Sequence, residues 1–100
     1  MLSVADIIIA VEPIVKNTNV KRLVLFGSHA KGNASEKSDI DLFMDNDKSI
    51  TGLAFFGLRS ELEDALGAEV DLIADLSVVS NSQIEKQINE SGVVVYERKG

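Results

Sequence analysis

The chain has 100 residues, 45% apolar and 26% charged, with no cysteine. This describes one compact domain over residues 1–100 and excludes a multidomain enzyme, a disulfide scaffold, a thiolate zinc site and a thiol nucleophile. Sixteen acidic against ten basic residues leave a net charge of −6, which disfavours direct nucleic-acid binding. The longest apolar stretch, residues 7–11, is flanked by Asp6 and Glu12 and is too short for a membrane span or a signal peptide, so a cytoplasmic protein is expected.

From Ser3 onward, Val4, Ile7, Ile8, Val11, Ile14 and Val15 share one helical face, and Ser3 with Asp6 has capping-box spacing, so an amphipathic first helix is predicted. Pro13 lacks an N–H and is expected to kink or end that helix near its last turn. Residues 17–19 read as a loop, and residues 21–26 as a buried strand stopped by Gly27. Residues 27–38 are small, polar and glycine-bearing, a surface segment with room for one helical turn; Ser35 and Ser38 read as turn residues.

In residues 39–44 apolar and polar side chains alternate, which places Asp39 and Asp41 on one face of a strand and Ile40, Leu42 and Met44 on the other. Residues 45–49 are turn-like, and residues 53–66 have helical spacing with Gly67 as their stop. A third strand is expected over residues 69–74, a helix capped by Ser80 and Gln83 through Glu90, and a last strand over residues 93–96. This order gives an α/β or α+β sandwich around one sheet.

Aspartates separated by one strand residue have side-chain bases about 6–7 Å apart, so their carboxylates can converge on a shared cation. Alone, such a pair reads first as a solvated strand edge or a turn entry. Here an apolar strand ends at Gly27-Ser28 and a short polar connection leads into Asp39 and Asp41. Glycine lets the backbone approach a phosphate, and Ser28 with the free N–H groups of a helical turn can donate to its oxygens. The aspartates would hold Mg²⁺ against the same phosphates.

Gly27-Ser28-His29-Ala30-Lys31-Gly32 followed by Ser38-Asp39-Ile40-Asp41-Leu42 resembles the Gly-Ser and Asp-x-Asp signature of the nucleotidyltransferase superfamily that includes DNA polymerase beta. The short chain is similar to the minimal nucleotidyltransferases in that group, and the resemblance covers nearly the whole element order. It implies the nucleotidyltransferase fold, a mixed four-stranded sheet with helices packed against it, in which the two strands flanking the Gly-Ser turn are antiparallel neighbours. It also implies a third carboxylate on a later strand, the place of Asp71, with Glu69 and Asp75 as alternatives in another register. Gly27, Ser28 and Lys31 would bind the nucleotide. His29 and Lys31 stand where the family often has arginines, and His29 reads as a surface loop residue.

The activity so implied is Mg²⁺-dependent transfer of a nucleoside monophosphate, AMP from ATP, to a hydroxyl. Asp39 and Asp41 would bind both of two Mg²⁺ ions, and Asp71 would bind the one that activates the acceptor. Asp71 is also a candidate to take the hydroxyl proton. Minimal nucleotidyltransferases are commonly antitoxins of HEPN-type ribonuclease toxins, so the implied partner is such a toxin and the implied acceptor one of its tyrosines. Two other readings stay open: an antitoxin that neutralises its partner by occlusion, and a transferase for a small hydroxylated molecule. Leu53, Phe55 and Phe56 are candidates for a partner surface.

Overall fold

The computed structural model describes residues 2–32, 34–35, 38–45, 50, 52–74 and 82–98, with side chains in the last segment from residue 85. The expectations placed on residues 46–49, Asp75, Ser80 and the Gln83 side chain lie outside these. The elements are α1 (Val4–Val15), β1 (Arg22–Phe26), α2 (Ser28–Lys31), β2 (Ile40–Asp45), α3 (Gly52–Leu66), β3 (Val70–Ile73), α4 (Ser82–Ser91) and β4 (Val93–Glu97). The strands lie in the order β3-β2-β1-β4, with β1 antiparallel to β2 and β4, and β2 parallel to β3. This is a mixed four-stranded α+β sheet, with β1 and β2 antiparallel neighbours as the resemblance implies.

At the start of α1, Ser3 Oγ accepts from the Asp6 N–H and the Asp6 carboxylate accepts from the Ser3 N–H, each at 3.1 Å. These bonds hold the Asp6 carboxyl below the ordinary carboxylate range. Pro13 lies inside the helix, which ends two residues later at Val15. Ile7, Val11 and Val15 of α1 meet Leu58, Leu62 and Leu66 of α3 and one face of the sheet in a single core. Alternation along β2 sends Ile40, Leu42 and Met44 into that core and leaves Asp41, Phe43 and Asp45 on the opposite face.

The opposite face is partly covered by α4, which packs on β1. Gly92 permits this approach, since a β-carbon there would lie 2.8 Å from Val24 Cγ1. Among the described residues, no helix is long and apolar enough to cross a membrane.

Candidate functional site

Asp41 and Asp71 are direct partners in the parallel β2–β3 ladder, so their side chains leave the same face of the sheet. Asp39 lies two residues before Asp41, immediately ahead of β2, and strand alternation gives it the same side. Asp41 is half-buried, whereas Asp39 and Asp71 are exposed. Burial pushes the Asp41 carboxyl above the ordinary carboxylate range, and the negative charges of Asp71 and Asp39 push it further; His29 pulls weakly the other way.

The register that pairs Phe26 with Asp41 sets the turn after β1 beside this carboxylate. Gly27 has φ 75° and ψ −152°, a conformation essentially restricted to glycine. A β-carbon on it would overlap the Asp41 carboxylate, approaching Cγ to 3.1 Å. Ser28, half-buried, opens α2, whose first intrahelical bond runs from the Lys31 N–H to the Gly27 carbonyl at 3.1 Å. The amides of its first turn therefore precede the helical ladder, next to Asp41. Lys31 ends α2 on the exposed surface, and Gly32 closes the turn at φ 77°.

His29 departs from the expected surface loop position. It is half-buried on α2 because the short helix turns its ring inward, where Nδ1 is enclosed with no partner among the described residues. The ring lines a cleft of about 270 Å³ with Leu2, Ser35, Ser38, Ile40 and Leu66. Ser35 and Ser38 form the expected turn: the Ser35 N–H donates to Ser38 Oγ at 2.9 Å and the Ser38 N–H to the Ser35 carbonyl at 3.1 Å. That turn delivers the chain into Asp39.

Asp39 and Asp71 line a second cleft, of about 220 Å³, with Phe55, Arg59, Glu69 and Leu72. Sequence reading did not single out Arg59 or Glu63. Arg59 Nε donates to the Val70 carbonyl at 3.1 Å, and Glu63 Oε2 accepts from the Val70 N–H at 3.0 Å. Their opposite charges four residues apart were visible in the sequence, but that spacing is ordinary on a solvated helix face. Of the apolar residues flagged on α3, Leu53 and Phe56 are 90% and 59% exposed. Phe55 packs partly against the core.

The donor chemistry fits a hard divalent cation. Carboxylate oxygens are what Mg²⁺ takes, and the Asp41 carboxyl, raised first by burial and then by the charges of Asp71 and Asp39, is one whose charge a bound cation would offset. Among the described residues, no three carboxylate or imidazole groups already close on one point. Asp39, Asp41 and Asp71 thus share a face without forming a finished cage.

The family model described as Polymerase beta, Nucleotidyltransferase matches residues 10–100. A Methanocaldococcus jannaschii chain named as a candidate protein adenylyltransferase is 38% identical over 76 residues, 76% of each chain. The protein adenylyltransferase MntA of Thermococcus cleftensis is 38% identical over 61 residues, 61% of this chain and 62% of that one. A chain in the solved complex of a tri-AMPylated Shewanella oneidensis HEPN toxin with MNT antitoxin shares the fold at a TM-score of 0.68. That match covers 95% of this chain and 73% of the other, at 20% identity.

Proposed function

The chain belongs to the polymerase beta nucleotidyltransferase family, and from that membership we propose that it transfers AMP from ATP to a tyrosine hydroxyl of a HEPN-type ribonuclease toxin, acting as the antitoxin of the pair. The observation that carries this reading is the pairing of Asp41 with Asp71 across β2 and β3, with the Gly27-Ser28 turn packed against Asp41. The names of the relatives and the AMPylated toxin in the Shewanella complex support adenylyl transfer to such a partner. The net charge of −6 suits a basic ribonuclease. We take the setting to be cytoplasmic, where ATP and the toxin's RNA substrate are both found.

In this reading Ser28, the first amides of α2 and Lys31 bind the polyphosphate. Mg²⁺ ions held by Asp39, Asp41 and Asp71 would supply charge neutralisation to the attacking and leaving oxygens. The tyrosine oxygen attacks the α-phosphorus and gives up its proton to the Asp71 carboxylate. The bond from the α-phosphorus to the bridging oxygen breaks, and pyrophosphate leaves with the electron pair. AMP on the toxin adds bulk and negative charge, which opposes RNA binding nearby.

The test is incubation with α-³²P-ATP, Mg²⁺ and a purified HEPN partner, comparing the wild type with Asp39→Asn and Asp41→Asn. Label on the partner, with an added AMP mass and loss in both variants, is the expected result. Stoichiometric inhibition of the toxin that survives both substitutions without label would replace transfer by occlusion.

A further inference from the structure

We infer that Arg59 and Glu63 are positioning residues for Asp71: between them they hold the outer edge of Val70 and fix β3 with its aspartate opposite Asp41. The inference rests on the proposed role of Asp71 and adds how that residue is held in place.

β3 has only four residues and lies at the edge of the sheet, with β2 as its single neighbour among the described residues. In a parallel ladder, alternate residues direct their N–H and C=O toward the neighbouring strand and away from it. The Ile40 N–H bonds to the Glu69 carbonyl at 2.9 Å, so residues 69 and 71 face β2 and Val70 faces outward. Both outward groups of Val70 are taken by side chains one turn apart on α3, the carbonyl by Arg59 and the N–H by Glu63. The two side chains do for β3 what a further strand would do, and they block edge pairing by another chain.

Burial alone does not set this register. Val70 and Leu72 are 1% and 8% exposed, so a slip of one residue would turn Asp71 into the core and is strongly opposed. A slip of two would keep the apolar face inward while bringing Glu69 or Ile73 opposite Asp41. The bonds to Val70 oppose that slip, because they specify one residue along the strand. Arg59 Nη2 and Glu63 Oε2 are 3.8 Å apart and partly solvated, so their mutual attraction contributes little. The bonds to the backbone, each with one charged partner, carry the effect.

The test combines amide hydrogen exchange at Val70 with transfer kinetics, both on the full chain well below its melting temperature. Glu63→Leu should speed exchange of the Val70 amide by about tenfold or more, the worth of a bond to a charged group. Glu63→Leu and Arg59→Leu should each lower kcat roughly 10- to 100-fold, as loss of an outer-shell partner does, with KM for ATP unchanged because the phosphate cradle is built on the turn after β1 and on α2, not on β3 or α3. Glu63→Gln retains an acceptor and Arg59→Lys a donor, so both should restore most of kcat. Unchanged exchange in Glu63→Leu would overturn the clamp. Fast exchange with wild-type kcat, or equal losses in kcat and ATP affinity, would reduce it to a purely structural contact. Full activity of Asp71→Asn would remove the proposed role of Asp71 and the positioning inference with it, while the exchange data would still report whether α3 holds β3.

Discussion

The Asp41 carboxylate fills the space that a β-carbon on Gly27 would occupy, and the same glycine bends the backbone at φ 75°. Two separate requirements therefore meet at one position: a conformation that L side chains avoid, and close approach of the turn to a carboxylate. The result sets the first amides of α2 beside the most buried of the three aspartates.

Gly27→Ala is expected to abolish transfer by displacing Asp41, and to cost about 1–3 kcal/mol from backbone strain. Gly32 is the control, because it shares a positive φ but has nothing within 4 Å of a new β-carbon. Gly32→Ala should lose about 1–2 kcal/mol and keep its activity. Urea titration together with the labelling assay separates the two effects, and an active Gly27→Ala would refute the close-approach explanation.

Asp41→Asn should be inactive yet more stable at neutral pH. Because the folded-state carboxyl is raised above 3.8, the fold binds that proton more tightly than the unfolded chain does. Its stabilising contribution is full below the ordinary value and is lost as pH rises through the raised one. Removing the charge should raise Tm at pH 7 by a few degrees, on a scale where about 1 kcal/mol is worth roughly 4–8 °C and solvent screening reduces the gain. The difference should vanish just below pH 4. A variant less stable than wild type at pH 7 would contradict this account of the site.

Asp71→Asn should lower single-turnover transfer roughly 10²- to 10⁴-fold, the range for loss of a general base. Binding of a fluorescent ATP analogue should change little, since Gly27, Ser28 and Asp41 lie on other elements. Wild-type transfer rates in this variant would exclude the residue from the chemistry.

Leu53→Lys and Phe56→Lys should each weaken binding to the HEPN partner by about tenfold or more, as loss of an apolar interface anchor does. Both side chains are largely exposed, so Tm should not move. Calorimetry of the complex checks this; unchanged affinity in both variants would place docking elsewhere.

Much of the architecture was legible because it is local. The Ser3–Asp6 capping box, the alternation of residues 39–44 and the glycine stop after α3 each depend on neighbours within a turn or a few strand residues. His29 was misread for the same reason: its sequence neighbours are small and polar, while the enclosure of its ring comes from elements distant along the chain. Arg59 and Glu63 were passed over because their partner is a backbone edge, which has no side-chain signature.

By itself, the sequence determined which residues are candidates for the chemistry and which faces of α1 and β2 are apolar, since period and side-chain type are written residue by residue. Only the tertiary structure decided that Asp71 pairs with Asp41, that Gly27 makes room for a carboxylate, and that α3 reaches across to hold Val70. Those relations depend on strand order and register, which are set by packing the apolar faces of α1 and α3 against the sheet, and no local stretch of sequence encodes that packing.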